Sequence, residues 1–355
     1  MGYGLLAPLD AASDIPFSME ARCPPARHRS TSCQLTCMDI TVVICTYNGA
    51  ARLPGLLERL ASQVLTTAVT WEILVVDNNS CDCTAQVVQQ YQNLSAFINK
   101  LHYAFEPLQG LAFARRHAVQ AAQGELLAFL DDDNLPSPYW VQAVYDFGHQ
   151  YPDAGAYGSQ ILGRYEVEPP RGFERIACFL AVIDRGNQPF RYDLLRRWLF
   201  PAGAGLVVRR QAWLAQVPAH PVLSGVAAQN LSGKGEDIET LSYLRKAGWP
   251  IWHNPNMQIE HIIGCDRMTP RYLLTLFRSV GLSRHHSRMI RFPPWQRPLA
   301  MVAYSLNDLC RLVLYGLVHC RDCSSLVVQC EFTLLAYSLL SPAYNLRRML
   351  TRTVG

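Results

Sequence analysis

Lysine is nearly missing from this chain: there are three, and arginine supplies the other 29 of its 32 basic side chains. Against 28 acids the formal balance is only +4, too mild for a protein that holds nucleic acid through its phosphates. No uninterrupted apolar run reaches the ~18 residues that usually cross a bilayer. The apolar segments Leu299 to Leu306, Leu312 to Val318 and Leu326 to Leu340 are broken by Asp308, Arg311, Arg321, Asp322 and Glu331. A glycine-rich phosphate loop is also lacking. The segment after the first expected strand, Thr46-Tyr47-Asn48-Gly49-Ala50-Ala51-Arg52, has one glycine, which disfavours a nucleotidyltransferase. Internal repeats and low-complexity tracts are absent. The 12 cysteines are scattered. Only Cys81-Asp-Cys83 and Cys320-x-x-Cys323 are close pairs, and neither has a second pair at zinc-site spacing. With no signal-peptide pattern at the start, the expectation is of reduced cytosolic thiols.

What is present is a sizeable core and one organising stretch. Half of the 355 residues are hydrophobic, enough for one large α/β domain with an appendage or for two domains. Within Leu126 to Pro136 (LLAFLDDDNLP), five apolar residues run into Asp131, Asp132 and Asp133. The run predicts a strand buried on both faces. Its carboxylates then stand at the carboxyl end, the rim where open α/β sheets bind ligands. Three adjacent like charges raise one another's pKa. A divalent cation removes that penalty, and oxygen-rich ligation suits Mg²⁺ or Mn²⁺. A solvated acidic turn closed by Asn134 and Pro136 is the plainer alternative.

Along the chain, residues 1–37 show no sustained period and are expected to be a loose extension. Met38 stands directly before the first strand and is a candidate natural start. Strands are expected at Asp39 to Thr46, Trp71 to Val76, Leu101 to Phe105 and Leu126 to Leu130. Helices at Leu53 to Gln63, Ala85 to Gln92 and Gly110 to Gln123 alternate with them. This predicts a mainly parallel, Rossmann-like sheet covered by helices with right-handed crossovers. The polar stops Thr46-Tyr47-Asn48, Asp77-Asn78-Asn79 and Asp131 to Asp133 all fall at one sheet edge. A helix at Pro138 to Gln150 and a strand at Ala154 to Ile161 follow, then a weakly patterned connection, Arg164 to Arg191. Gly203 and Gly205 precede a strand ending at Val208, and glycine lets backbone approach a ligand closely. A polar loop, Leu231 to Glu236, leads into a helix from Asp237 to Ala247, and a strand-like stretch from Pro250 to Ile259 ends in Glu260-His261.

From about Met268 the character changes. Seven arginines fall between Arg267 and Arg297, with amphipathic segments after them. Such a region suits an anionic membrane surface; helices packed on the catalytic domain or on a second subunit are the alternative.

Four blocks (ITVVICTYNGAARLPGLLERL, EILVVDNNSCDCTAQVV, GLAFARRHAVQAAQGELLAFLDDDNLP and GEDIE) stand in an order and spacing that resemble family 2 glycosyltransferases of the GT-A fold. The likeness covers roughly Asp39 to His261. The C-terminal layout is similar, less specifically, to bacterial polysaccharide-assembly enzymes such as the hormogonium polysaccharide glycosyltransferases of cyanobacteria. The resemblance implies a nucleotide-sugar donor, a divalent metal and inversion at the anomeric carbon. It places Thr46, Tyr47, Asn48, Asp77, Asn79, Asp82, Arg115, Asp131 and Asp132 with the nucleotide sugar, and Gly203 and Gly205 under the donor sugar or acceptor. Asp133 is its direct metal ligand, with Asp131 and His261 completing the set. Asp237 is the general base and Glu236 orients it or the acceptor. Plainer roles stand beside these: strand-end or helix caps for Asp77 and Asp82, a surface arginine at 115, a core histidine at 261, and two acids favoured at 236 and 237 by a helix N-terminus. Arg116 stands where many relatives have Asn. No Gln-x-x-Arg-Trp motif follows the Asp237 helix, which with the lack of clear spanning segments points to one sugar added per encounter.

The expected organisation is an extension (1–37), a GT-A domain (38–265) and a basic, amphipathic helical region (266–355). The expected function is transfer of a sugar from a nucleotide diphosphate to a saccharide or lipid-linked acceptor in polysaccharide biosynthesis. The expected location is the cytoplasm, with peripheral contact at the inner face of the plasma membrane, and no nucleic-acid partner. A catalytically silent sugar-nucleotide-binding or scaffold protein is the rival reading.

Overall fold

The computed structural model describes residues 38–194, 199–219, 222–223 and 234–352. The expected extension (1–37) and part of the expected 231–236 loop lie outside the described residues.

The strands are β1 (Ile40–Thr46), β2 (Trp71–Asp77), β3 (Leu101–Phe105), β4 (Leu126–Asp131), β5 (Asn134–Pro136), β6 (Ala156–Tyr165), β7 (Phe190–Arg191), β8 (Val207–Arg209) and β9 (Ile251–Ile263). They form one mixed, mainly parallel sheet in the order β3-β2-β1-β4-β8-β6-β9-β5, with β7 also paired to β9. The helices are α1 (Leu53–Ala61), α2 (Thr84–Gln92), α3 (Leu111–Ala121), α4 (Trp140–Gln150), α5 (Arg210–Gln216), α6 (Glu236–Lys246), α7 (Pro270–Met289), α8 (Arg297–Val318) and α9 (Leu326–Arg352).

The unbroken apolar runs have a direct cause. Side chains alternate across a strand, and both faces of this sheet are covered. Ile40, Val42 and Ile44 pack with Leu53, Leu56 and Leu57 of α1 and Trp140 and Val144 of α4. Val43 and Phe129 pack on the other face with Ala118 of α3, Trp213 of α5 and Leu241 of α6. The parallel registers align the strand ends: Thr46 lies opposite Asp77, and Cys45 opposite Asp131. The polar stops therefore share one edge, as expected.

β9 runs past its expected end. Its residues remain alternately buried through Ile263, and His261 pairs with Asn134 of β5 rather than following the strand. Pro255 has no N–H for a ladder, and the β6–β9 register shifts at this point, between Ser159 and Gln160.

The connection at 164–191 is more ordered than its pattern suggests. Phe173, Ile176 and Leu180 pack with Leu276 and Phe277 of α7 and Leu334 of α9. α7 and α9 approach so closely that a Cβ on Gly281 would lie 2.8 Å from the Tyr337 Cβ. The two expected segments 299–306 and 312–318 are a single helix, α8. Asp308 breaks its apolar run in sequence but turns inward, where both its oxygens accept from Arg288 of α7 at 2.6 and 2.9 Å. Much of the remaining surface is exposed and apolar. α8 (with its leading turn) and α9 are each long and apolar enough to cross a membrane by length and composition, although neither holds an unbroken apolar run of that length.

Candidate active site

A cavity of about 670 Å³ opens at the shared strand edge, within the usual range for small-molecule sites. It is lined by Thr46, Tyr47, Asn78, Arg115, Asp131 to Asp133, Gly203, Glu236, Asp237 and His261, and continues to α7, α8 and α9.

The rim is built by the turn after β4. Asn134 Oδ1 accepts the Asp131 N–H at 3.0 Å, and the Ile262 N–H of β9 donates to the Asp133 carbonyl at 3.0 Å. Each of the three carboxylates then meets a different arginine. Arg115 lies 3.9 Å from Asp131, Arg52 donates to Asp132 at 2.7 Å, and Arg267 lies 2.7 Å from Asp133. Like-charge repulsion is thus relieved by guanidinium groups of the chain itself. Burial alone would raise the Asp133 pKa, but His261, Arg267 and Arg52 outweigh it and hold the carboxyl at about 2. Asp131 is pushed up, chiefly by burial, against the pull of Arg115.

The expected metal set is arranged around Arg267. His261 Nε2 lies 3.4 Å from Asp133 Oδ1, and Arg267 Nη1 lies 3.1 Å from the same imidazole nitrogen. As placed, no three acidic, histidine or cysteine side chains among the described residues converge to hold an ion. The donor chemistry nonetheless fits a cation, because the guanidinium already fills that role between a carboxylate and an imidazole.

Arg115 joins the rim to α6. It is buried, 3.4 Å from Glu236 and 5.4 Å from the Phe129 ring. A Cβ on Gly203 would stand 2.6 Å from its Nη2, so the guanidinium passes closely over this glycine and would have to shift for any larger residue. The Gly203 N–H donates to Asp237 Oδ2 at 3.0 Å, and the Ile238 N–H to Asp237 Oδ1 at 2.8 Å. Glu236 is buried and its pKa is raised, first by burial and then by Asp237, against the pull of Arg115. Of the pair, Asp237 is the less buried and Glu236 carries the arginine.

Other expected residues are placed differently. Thr46 lines the cavity, its hydroxyl donating to Asp132 at 2.5 Å. Tyr47 lines it too, and its carbonyl accepts from Arg52 at 3.2 Å. Asn48 is a turn residue at φ +50°, its Oδ1 accepting the Cys81 N–H at 2.9 Å. Asp77 accepts from the Tyr103 hydroxyl and the Ser80 N–H, each at 2.9 Å, and Asn78 rather than Asp77 lines the cavity. Asn79 is exposed, with a φ of +63°. Asp82 caps the start of α2 through Thr84 and accepts the Ala50 N–H at 3.1 Å. Gly205 lies beneath the cavity wall, at φ +64°, where a Cβ would meet Ser159 and Ile259. Asn48, Asp77, Asn79, Asp82 and Gly205 therefore do not line the cavity. Arg52 falls within the first block but was given no role there, and Arg267 lies outside the four blocks; folding brings them to Asp132 and Asp133.

Residues 41–215 match the glycosyl transferase family 2 model. A glycosyltransferase of Nostoc sp., itself described as uncharacterized, is 26% identical over 193 residues, 52% of this chain and 55% of its own length. A validoxylamine A glucosyltransferase of Streptomyces hygroscopicus is 40% identical over 108 residues, 30% of this chain and 24% of its own length. A mannosyltransferase of Pyrobaculum calidifontis, solved with GDP-Man and Mn²⁺, shares the fold with a TM-score of 0.51 at 17% identity, over 86% of each chain. The match thus spans about half of the first relative and about a quarter of the second. The fold is the GT-A fold, as the sequence blocks implied. The segment 41–215 is a glycosyltransferase family 2 domain.

Proposed function

We propose that the chain transfers a sugar, with inversion, from a nucleotide diphosphate donor to a saccharide or lipid-linked acceptor in glycan biosynthesis, at the cytoplasmic face of a membrane. The observation that carries this is the sharing of one cavity by the Asp131 to Asp133 rim and by Asp237 at the start of α6. Inversion needs a base on the face of the sugar opposite the leaving diphosphate. Asp237 supplies it, taking the acceptor hydroxyl's proton as that oxygen attacks the anomeric carbon. The Gly203 and Ile238 N–H groups fix its carboxylate. Glu236 holds Arg115 beside it, keeping a positive charge near the departing diphosphate. Asp133 and His261, with Asp131, would hold a divalent cation when Arg267 yields the place, and that cation would neutralise the leaving phosphates.

The test is a thermal-shift screen of nucleoside diphosphates and nucleotide sugars, each with Mn²⁺, Mg²⁺ or EDTA. A ligand specific to the folded state stabilises it by about 2.7 kcal/mol at a hundredfold excess over its dissociation constant. A metal-dependent shift with one base is expected. No shift with any nucleotide, in folded protein, would overturn this reading in favour of a silent scaffold.

A further inference from the structure

A second, smaller cleft lies between α4 and β9. Its volume is about 220 Å³, and Tyr139, Gln142, Asp146, Gln150, Asn254 and Asn256 are among the residues lining it. It arises from a bulge in β9. Ser159 of β6 opposes Asn254 and Gln160 opposes Gln258, so residues 255–257 have no partner on β6. Pro255 has no N–H to offer a ladder. Asn254 shapes the bulge with both ends of its amide: Oδ1 accepts the Asn256 N–H and Nδ2 donates to the Ala143 carbonyl of α4, each at 3.1 Å. Gln142 donates to Thr67 Oγ1 at 2.9 Å and to Asp146 Oδ1 at 2.7 Å. These two amides are buried and hold the walls in place. Tyr139, Asp146, Gln150 and Asn256 stand exposed around them.

This lining selects a ligand class. Tyr139 offers a ring that is 56% exposed, an apolar face with a polar tip. Beside it stand amides, which both donate and accept, and one carboxylate, which accepts. No lysine or arginine lines the cleft among the described residues, so a phosphate or other anion has no guanidinium or ammonium to hold it. A pyranose ring has the matching chemistry: one face of C–H groups lies against an aromatic ring, and the hydroxyls at its edge donate and accept. The cleft is smaller than the ~300 Å³ at which pockets for drug-sized ligands begin, which suits one ring rather than a chain of them. It is also within reach of the acidic rim. Asp133 and Tyr139 are six residues apart, a span of at most about 22 Å. Asn256, Gln258 and Glu260 are the exposed residues of β9 and alternate with buried ones, so they share one face. This polar row runs from the cleft toward the His261 end of the strand.

We propose that the cleft between α4 and β9 is a saccharide-binding site separate from the catalytic cavity, in which Tyr139 stacks on one neutral pyranose ring and Gln150, Asn256 and Asp146 bond its hydroxyls. Its use, holding a distal ring of a glycan whose end is in the catalytic cavity, rests on the glycosyltransfer reading above.

The experiment uses the full chain and saturation-transfer NMR with four probes: the methyl pyranosides of glucose, galactose, mannose and N-acetylglucosamine. At least one is expected to bind, and to stay bound when the catalytic cavity is filled by saturating nucleoside diphosphate with Mg²⁺. Tyr139→Ala is expected to weaken that binding by about fivefold or more, and Tyr139→Phe to keep most of it, because the ring and not the hydroxyl makes the stack. The side chain is exposed, so both variants should melt with the parent and keep its nucleotide-dependent thermal shift. That shift separates the two readings: a nucleotide shift with no pyranoside bound is a failure here, and pyranoside binding with no nucleotide shift is a failure of the donor site. Silence of all four pyranosides, or equal binding by Tyr139→Ala and the parent, would overturn the proposal. Displacement of the pyranoside by nucleotide would put the sugar in the catalytic cavity and overturn it as well.

Discussion

Arg267 Nη2 lies 2.7 Å from Asp133 Oδ2 and Nη1 3.1 Å from His261 Nε2, so the chain's own cation occupies the pair of side chains best suited to hold a metal. The guanidinium sits on the short turn Cys265–Met268 just after β9 and remains one-third exposed. It competes for Asp133 with any ion that enters.

Arg267→Ala is therefore expected to tighten Mn²⁺ binding by about tenfold, a difference of about 1.4 kcal/mol. Electron paramagnetic resonance of unbound Mn²⁺, titrated without nucleotide, measures it directly. The variant should also melt earlier than the parent without metal, because Asp133 loses a partner, and recover with saturating Mn²⁺. Unchanged affinity would mean that Arg267 and the ion do not share a place.

Asp237 and Glu236 separate by role. Asp237→Asn keeps the Gly203 hydrogen bond possible but removes the base, so transfer is expected to slow by about 10²- to 10⁴-fold with the nucleotide thermal shift retained. Glu236→Gln weakens the hold on Arg115 and should lower donor affinity as well as rate. Single-turnover transfer and nucleotide binding, measured on both variants, distinguish the two. Equal rates for Asp237→Asn and the parent would remove the base assignment.

The strands and the rim were legible because their signals are local. β1, β2 and β4 read as near-continuous apolar runs ended by polar residues, and the registers place Thr46 against Asp77 and Cys45 against Asp131. The pairing of Asp237 with Gly203 was approachable, since Asp237 belongs to the GEDIE block and Gly203 to a pair of glycines before a strand. The three rim arginines were not. Arg115 was given a role by its motif, but Arg52, though inside the first block, and Arg267, outside all four, reach Asp132 and Asp133 across 80 and 134 residues of sequence, and nothing local points to either pairing. The same limit hid α8. Asp308 looks like a break in an apolar run until Arg288 is found opposite it. Local pattern could not separate lining residues from wall residues either, because Asp77 and Asn78 are neighbours and only their partners differ.

The Arg288–Asp308 pair is nearly the whole buried tie between α7 and α8: Asp308 and Tyr315 are the buried residues of α8. Removing one partner leaves a charge without its counter-ion in a dry place, so Arg288→Met is expected to destabilise the fold by about 3–5 kcal/mol. Arg288→Met/Asp308→Leu should recover most of that loss, since two apolar groups incur no such penalty. Denaturant unfolding of the single and double variants gives both numbers. A double variant as unstable as the single would mean that the pair sets helix geometry beyond its charge balance.

His253 supplies a pH signature unrelated to the site. It is fully buried on β9 against Phe190, and burial, aided by Arg185, lowers its pKa from 6.5 to about 4. Below pH 6.5 the unfolded chain takes up this proton, whereas the fold does not until about pH 4. The unfolded state then binds more protons, so stability falls as pH drops through that window. The contribution fully present above pH 6.5 and lost by pH 4 is about 3 kcal/mol, from the size of the shift. His253→Gln removes the titration, and its unfolding free energy should fall by about that much less between the two pH values. Parallel curves for variant and parent across pH 4 to 6.5 would show that His253 is protonated in the fold.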